Sequence, residues 1–401
     1  MFRISRYMRE LLHPTTLAVP AEPSGPVVVW NLIRRCNLTC KHCYSISADK
    51  DFAGELSTTE ARTVMDDLSE FGVPVLILSG GEPLLRPDIF ELSHYAKNKG
   101  FYVGLSTNGT LINADNIEEI AAVGYNYVGI SLDGIGSTHD QFRRKKGAFA
   151  ASIRAITLCN EIGVKVGIRF TMTQDNESEL PAMLALMEEH NIDRFYLSHL
   201  NYAGRGNTHR QDDAIFAATR RAMELLFSTC WQYAREGKVR EFVSGNNDAD
   251  GVFLLLWVKK HFPEHFSHIQ AKLRQWGGNS TGVNISNIDN LGNVHPDTMW
   301  WNYNLGNVRE RPFSQIWPDT SDPLMAGLKA SPRPLGGRCG HCQYLQLCNG
   351  NTRVRAYQLS GDFWAEDPGC YLTDAEIGLS GIQERLTLRP HRNDRRSHPH
   401  A

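Results

Sequence analysis

Three cysteines in one short loop limit most strongly what this chain can fold into. Cys36, Cys40 and Cys43 have the spacing C-x3-C-x2-C and directly follow an apolar, β-prone run over residues 27–33. Three thiolates at this spacing can ligate three irons of a [4Fe–4S] cluster and leave the fourth iron open to a small molecule. Structural zinc sites, the alternative, are usually built from paired C-x2-C units. The sequence therefore predicts an iron–sulfur loop at the end of a buried strand.

Beyond this loop, strand-like and helix-like segments alternate. The apolar runs that predict six strands lie at residues 27–33, 75–78, 101–105, 127–131, 166–171 and 195–200. Ser57-Thr-Thr-Glu60 has the capping-box pattern that opens a helix. Strand–helix–strand units with right-handed crossovers build a parallel sheet that curves. We therefore predict an α/β fold, a partial (β/α)6 barrel similar to part of a TIM barrel.

Polar motifs follow four of the predicted strands. They are Ser79-Gly-Gly-Glu-Pro83, Ser106-Thr-Asn-Gly109, Ser131-Leu-Asp-Gly134 and Tyr202-Ala-Gly-Arg-Gly206. Each motif alone is an ordinary turn sequence. Because ligands gather at the carboxyl ends of parallel strands, the shared placement of these motifs predicts that they and the cysteine loop form one site.

Composition divides the chain into five segments. We predict an N-terminal arm (1–25), the barrel (26–236), a helical linker (237–276), a small α+β domain (277–380) and a disordered tail (381–401). The formal net charge of −2 gives no reason to expect nucleic acid or an anionic membrane as the main partner. No apolar run is long enough for a membrane span, and the N-terminus lacks the apolar core of a signal peptide. A cytoplasmic protein is expected.

A second group of cysteines lies near the C-terminus, at Cys339, Cys342, Cys348 and Cys370. Seven of the nine cysteines thus fall into two tight groups, which indicates metal chemistry in a reducing compartment and not disulfides. The other two, Cys159 and Cys230, lie in apolar helical patterns and are expected to be buried. Zinc also suits a quartet of this kind, and the sequence leaves that alternative open.

The cysteine triplet, together with Gly-Gly-Glu-Pro after the next strand, resembles the radical SAM enzymes over roughly residues 26–210. In that family a [4Fe–4S] cluster binds S-adenosylmethionine, which is then cleaved reductively. The resemblance implies that the cluster ligands are Cys36, Cys40 and Cys43. It implies further contacts with S-adenosylmethionine: His42 near the adenine, Gly80, Gly81 and Glu82 at the amino group, Ser131, Asp133 and Asn108 near the ribose and carboxylate, and Arg169 at the carboxylate. A structural salt bridge is the alternative for Arg169.

The C-terminal part resembles the auxiliary-cluster extensions called SPASM and Twitch. The resemblance implies one auxiliary [4Fe–4S] cluster, ligated by Cys339, Cys342, Cys348 and Cys370. A full SPASM domain holds a further cluster, and the positions that correspond to its ligands here are Asn279, Asp297 and Thr352. Because all three positions lack a thiol, we expect two [4Fe–4S] clusters in the whole chain, one that binds S-adenosylmethionine and one auxiliary.

Over nearly the whole chain the resemblance narrows to the radical SAM enzymes of heme d1 biosynthesis, on residues 1–8, 35–45 and 202–206. It implies a siroheme-derived tetrapyrrole substrate, 12,18-didecarboxysiroheme. A 5′-deoxyadenosyl radical would remove its propionate side chains on the way to oxo groups. It also implies an external low-potential electron donor of the flavodoxin or ferredoxin type. The candidates for contacts with the pigment are Arg205, His199, His295 and His341.

Other functions remain compatible with the sequence. Within the same class they are another tetrapyrrole decarboxylase, similar to the heme synthases, and a peptide-modifying maturase. Peptide maturases often carry a leader-binding domain ahead of the barrel, and an arm of about 25 residues is too short for one. Outside the class, the chain could be a non-catalytic iron–sulfur electron carrier or a zinc-bearing interaction protein. The three-cysteine site and the strand-end motifs favour an enzyme.

Overall fold

The computed structural model describes residues 1–17 and 25–379, so the predicted tail over 381–401 lies outside the described residues. The strands are β1 (Phe2–Arg3), β2 (Val27–Asn31), β3 (Val75–Ser79), β4 (Tyr102–Thr107), β5 (Tyr127–Ser131), β6 (Val166–Met172), β7 (Arg194–His199), β8 (Glu241–Gly245), β9 (Ile285–Ile288), β10 (Asn293–His295) and β11 (Gly306–Asn307). The helices are α1 (Ile4–Leu12), α2 (Thr58–Glu70), α3 (Ile89–Asn98), α4 (Ile117–Val123), α5 (Ser137–Arg143), α6 (Ala148–Glu161), α7 (Leu180–Glu189), α8 (Arg205–Thr208), α9 (Phe216–Arg235), α10 (Ala249–His261), α11 (Phe266–Trp276), α12 (Phe313–Ile316), α13 (Pro323–Lys329), α14 (Gly337–Gly340), α15 (Leu345–Cys348) and α16 (Arg353–Ser360).

These strands form a single sheet in the order β1-β8-β7-β6-β5-β4-β3-β2-β9-β10-β11. From β2 to β8 each strand pairs in parallel with the next one along the chain. Parallel neighbours require crossover connections, and helices fill each of them. The six predicted strands are confirmed, and the predicted capping box at Ser57 and Glu60 opens α2.

The structure extends the predicted barrel on its β7 side. β8 lies within residues 237–276, which we predicted as a helical linker, and it pairs in parallel with β7; α10 and α11 follow it. The predicted N-terminal arm also joins the sheet, because Phe2 of β1 pairs with Ser244 of β8. The apolar face of α1 is buried against α9 and β8. Both predicted segment boundaries therefore cut through one continuous sheet.

The two faces of the curved sheet differ in character. On the outer face, helices cover apolar side chains such as Leu76, which is fully buried. On the inner face, bulky side chains lie across glycines. A Cβ on Gly167 would collide with the ring of Tyr127, and a Cβ on Gly245 would collide with the ring of Tyr196. Glycine at these two positions therefore lets two tyrosines lie flat against the inside of the barrel.

The C-terminal region continues the same sheet. β9 pairs in parallel with β2, and β10 and β11 add antiparallel strands beyond it. The predicted small α+β region is thus joined to the barrel by backbone hydrogen bonds as well as by the chain. In the part of the chain that the structure describes, no helix is both long and apolar enough to cross a membrane.

Candidate functional site

The cysteine loop folds over the carboxyl end of β2. Leu38 packs with the side chains of Cys36 and Cys40, and Cys43 lies at the edge of the same apolar cluster. Burial raises the pKa of the Cys36 thiol to about 12, and the neighbouring thiols of Cys40 and Cys43 add to the effect. The three thiols lie in one cluster of side chains, and a positively charged group that replaces their protons would stabilise the thiolate forms. These three residues could therefore hold an iron–sulfur cluster.

The glycines of the Gly-Gly-Glu motif allow a close backbone approach to this loop. The amide of Gly81 donates to the carbonyl oxygen of Ile33 (2.6 Å), and the amide of Glu82 donates to that of Arg35 (2.9 Å). A Cβ on Gly80 or Gly81 would overlap backbone carbonyl groups of this same segment. The motif is therefore needed to seat β3 against the residues that lead into Cys36.

Glu82 is a fully buried carboxylate. It accepts hydrogen bonds from the hydroxyl of Thr107 (2.8 Å) and from the amides of Asn108 (2.8 Å) and Leu84 (3.1 Å). Burial nevertheless raises the pKa of this carboxyl to about 7, since desolvation outweighs the three bonds. Glu82 forms no ion pair with any described residue, so its carboxylate remains a strong acceptor for an amino group.

Asn108 connects Glu82 to the cysteine loop. Its backbone amide donates to Glu82, and its side-chain amide donates to Oδ1 of Asn37 (2.9 Å) and lies 3.9 Å from Sγ of Cys36. The ends of β3 and β4 and the cysteine loop therefore form one hydrogen-bonded unit. This arrangement brings together the motifs that the sequence placed on one rim.

Asp133, at the end of β5, is already paired with a cation of the protein. Its buried carboxylate accepts from the amide of Thr171 (2.7 Å) and forms an ion pair with Arg143. Arg143 also donates to Sγ of Cys40 (3.5 Å). No binding motif in the sequence marks Arg143, although it begins a run of four cations over residues 143–146. A role of Asp133 in binding S-adenosylmethionine would require it to act together with Arg143.

Ser131 and Arg169 are paired neighbours on β5 and β6. The guanidinium of Arg169 donates to the hydroxyl of Ser106 and lies 6.0 Å from the ring centre of Tyr127. Among the described residues no carboxylate pairs with Arg169. Its charge faces the inside of the barrel and is available to a ligand carboxylate.

His42 forms one wall of a pocket of about 210 Å³ at the rim of the barrel. Its ring packs against that of Phe142 at 4.5 Å between centroids. Burial lowers the pKa of His42 well below its ordinary value, so the ring is neutral at pH 7. Thr173 and Leu200 also line this pocket, together with the polar side chains of Lys41, Asp175, His209 and Asp212. The rings of His42 and Phe142 are the flat surfaces that the pocket offers to a planar group such as adenine.

The side chains suggested for contacts with a tetrapyrrole all have partners within the protein. Arg205 donates to the carbonyl oxygens of Cys40 (2.7 Å) and Ser47 (3.0 Å), and these two bonds connect the cysteine loop to the segment that follows it. The three histidines also have hydrogen-bond partners: His199 with Asp250, His295 with the Tyr303 carbonyl and His341 with the Gly337 carbonyl. Each of the four side chains therefore has a contact within the protein, and His295 and His341 make theirs through Nδ1.

The four C-terminal cysteines line one cavity of about 380 Å³, together with apolar residues that include Val252 and Ile377. Burial raises the pKa of Cys348 well above its ordinary value, and the other three thiols of the group act in the same direction. Within residues 1–17 and 25–379, no three His, Cys, Asp or Glu side chains converge as ligands of a single metal ion would. The cavity could hold an auxiliary cluster, whose irons keep the ligating thiols further apart.

Polar side chains fill the positions where a full SPASM domain would need three more cysteines. Asn279 bonds to Asp248 (2.8 Å) and to the guanidinium of Arg333 (2.8 Å). Asp297 accepts from the hydroxyl of Thr281, and the hydroxyl of Thr352 donates to the carbonyl oxygen of Asn246 (3.1 Å). All three residues are buried, and each has a hydrogen-bond partner elsewhere in the protein.

Comparison with known proteins identifies the same family that the cysteine triplet predicts. The model of the Radical SAM superfamily matches residues 30–187. The chain is 51% identical to Pre-heme d1 synthase of Dinoroseobacter shibae over 98% of both chains. It is 45% identical to Fe-coproporphyrin III synthase of Methanosarcina barkeri, over 91% of this chain and 92% of that one.

Among solved structures, Streptococcus suis SuiB bound to S-adenosylmethionine matches with a TM-score of 0.68 at 21% identity. The match covers 87% of this chain and 78% of that one, so the fold similarity extends through the C-terminal region. The predicted fold, a partial barrel of the radical SAM type followed by a small α+β region, is confirmed. The chain is an enzyme that belongs to the radical SAM superfamily.

Proposed function

We propose that this enzyme acts in heme d1 biosynthesis and removes propionate side chains from 12,18-didecarboxysiroheme on the way to oxo groups. The observation that carries the proposal is the 51% identity to Pre-heme d1 synthase along 98% of both chains. The residues of the candidate site, including both cysteine groups, are compatible with it.

The chain supplies the groups that hold and orient S-adenosylmethionine. Cys36, Cys40 and Cys43 would ligate a [4Fe–4S] cluster, which when loaded with S-adenosylmethionine supplies a 5′-deoxyadenosyl radical that abstracts hydrogen from carbon. Glu82 would accept hydrogen bonds from the amino group, and Arg169 would pair with the carboxylate. Fixing the amino and carboxylate groups of the methionine converts binding energy into proximity.

The other roles follow from where the remaining side chains lie. The carbonyls of Gly80 and Gly81 would accept from the amino group. His42 would contact the adenine, Asn108 and Ser131 would contact the ribose and carboxylate, and Asp133 would act there through Arg143. Cys339, Cys342, Cys348 and Cys370 would hold an auxiliary [4Fe–4S] cluster. An external low-potential protein of the flavodoxin or ferredoxin type would supply electrons in the cytoplasm.

A second candidate is the synthesis of Fe-coproporphyrin III, which the 45% identity to Fe-coproporphyrin III synthase favours. The two proposals can be separated with the same reagents. The reconstituted enzyme is incubated anaerobically with reductant, S-adenosylmethionine and 12,18-didecarboxysiroheme, and the pigment is analysed by mass spectrometry and absorption. We expect loss of propionate side chains. Conversion to Fe-coproporphyrin III would assign the second function, and an unchanged pigment with 5′-deoxyadenosine formed would exclude both.

Binding of S-adenosylmethionine should depend on the protonation of Glu82. Only the carboxylate form accepts from the amino group, and the pKa of this carboxyl is raised to about 7. The affinity of the cluster-loaded protein should therefore fall by up to about tenfold per pH unit below 7. Glu82→Gln should lower the affinity roughly 10- to 100-fold, the loss of a charged hydrogen bond, and should flatten the pH dependence.

A matched control for this prediction is Glu60→Gln. Glu60 caps α2 at the surface and pairs with Arg309, so it should affect neither the affinity for S-adenosylmethionine nor its pH dependence. Affinities are measured by equilibrium dialysis between pH 6 and 8.5 on protein of equal iron content. If Glu82→Gln kept the wild-type pH profile, another group would have to bind the amino group.

A further inference from the structure

A strongly basic loop lies beside the cysteine loop. Arg144, Lys145 and Lys146 follow α5 without interruption, and all three side chains are exposed. They form no ion pair with any residue that the structure describes. In a chain whose formal net charge is −2, three adjacent unpaired cations form a local positive patch. We call these three residues the basic loop.

The basic loop is held in a defined shape. Arg144 adopts a left-handed conformation with φ of 55°, which is uncommon for a residue with a side chain. The side chain of Asp140 accepts from the amides of Gly147 (2.6 Å) and Phe149 (2.9 Å), and its carbonyl accepts from the amide of Lys145 (2.9 Å). Backbone amides thus engage the carboxylate of Asp140. It forms no ion pair with the three cations of the basic loop, which stay available to a partner.

Direct contacts join the end of α5, which precedes this loop, to the candidate cluster site. The carbonyl of Phe142 accepts from the amide of Lys41 (3.1 Å), which lies between Cys40 and His42. Arg143, immediately before the basic loop, is buried and donates to Sγ of Cys40 (3.5 Å). The residue immediately before the basic loop therefore contacts a candidate cluster ligand.

We propose that the basic loop is the docking surface for an acidic electron-carrier protein that reduces the cluster at Cys36, Cys40 and Cys43. Electron transfer between proteins requires a short path, and opposite charges raise the rate of encounter 10- to about 1000-fold at low salt. The step is balanced as one electron passing from the carrier to the oxidised cluster. With an anionic flavin hydroquinone as donor, the carrier becomes a neutral semiquinone and no proton is released. The inference rests on the proposed function only in requiring a cluster at these three thiols.

The test compares two triple charge reversals. Arg144→Glu, Lys145→Glu and Lys146→Glu together remove the patch. The control reverses three exposed cations near the ends of α9 and α10, the helices before and after β8: Arg235, Lys259 and Lys260. Both variants have the same net charge. Reduction of the reconstituted cluster is followed anaerobically by stopped-flow absorbance with flavodoxin hydroquinone, and separately with photoreduced deazaflavin, a small reductant that needs no docking surface.

We expect the basic-loop variant to be reduced by flavodoxin at least about tenfold more slowly at low salt, with little remaining dependence on ionic strength. Its reduction by deazaflavin, and the behaviour of the control variant, should match the wild type. Equal flavodoxin rates in both variants would overturn the proposal and leave the proposed function intact. Unchanged flavodoxin rates together with weakened binding of 12,18-didecarboxysiroheme would also overturn it, because the patch would then bind the anionic pigment.

Discussion

Cys40→Ala is expected to reduce the formation of 5′-deoxyadenosine to background while the chain remains folded. Two thiolates cannot hold a cube with one open iron, and the buried guanidinium of Arg143 would lose its contact with Sγ of Cys40. Iron should fall from about eight to about four atoms per chain if the auxiliary cluster remains in place. The measurements are iron content, cluster absorbance and 5′-deoxyadenosine in the presence of a chemical reductant.

Cys159→Ala is the matched control for this prediction. Cys159 is a fully buried thiol on α6, and its raised pKa comes from burial alone. Its replacement should cost about 1 kcal/mol of stability and leave both the iron content and 5′-deoxyadenosine formation unchanged. Cleavage of S-adenosylmethionine by Cys40→Ala at the wild-type rate would contradict the three-thiolate site and every proposal that depends on it.

How much of the fold could be predicted depended on the length of the apolar runs. β5 contains the run Tyr127–Ser131 and was predicted with its observed ends. β8 was missed because its only large apolar residues are Phe242 and Val243, too few to show a period. β1 has two residues and exists through its pairing with β8. Such elements are stabilised by tertiary contacts, which a local pattern does not contain.

The candidate site shows the same difference between residues that a local pattern identifies and residues whose roles depend on tertiary contacts. Cysteine spacing and strand-end motifs identify residues that bind through their own chemistry, and the structure brings Cys36, Glu82 and Asn108 into one network as predicted. Arg143 and Arg205 were not identified as supports of the cysteine loop. Their roles depend on which carbonyl, thiol or carboxylate folding brings near them, so no short motif marks them. The role of a buried charged side chain can be assigned only when its partners in the folded structure are known.

The two cysteine sites are connected by the segment that follows β7. Arg205 on this segment clamps the cysteine loop, and Asn207 bonds to Gln358 of α16 (2.8 Å). Arg355, on the same helix, donates to the carbonyl of Leu200 (3.1 Å) and pairs with Asp367 (2.9 Å), three residues before Cys370. A change at the C-terminal cysteines can therefore affect turnover in two ways: through the chemistry they support or through this connection.

Replacing both Cys342 and Cys348 by alanine should separate these effects. Removal of a propionate from a substrate radical is a net oxidation, so an electron must leave the substrate, and we expect the group held by the C-terminal thiols to accept it. In the double variant, 5′-deoxyadenosine should still form at close to the wild-type rate, whereas the modified tetrapyrrole should fall to background. Both products are quantified by mass spectrometry in the same anaerobic reaction, on protein that retains about four irons per chain.

Cys230→Ala, which removes a buried thiol from α9, should change neither product and controls for the loss of a thiol. If the double variant lost 5′-deoxyadenosine as well, the C-terminal site would support the cysteine loop mechanically through the segment that carries Arg205 and Asn207. If the tetrapyrrole product formed at the wild-type rate, the electron would have to leave the substrate by another route. A zinc site at the same thiols would contradict the prediction too, since zinc has no redox chemistry and could not take up the electron.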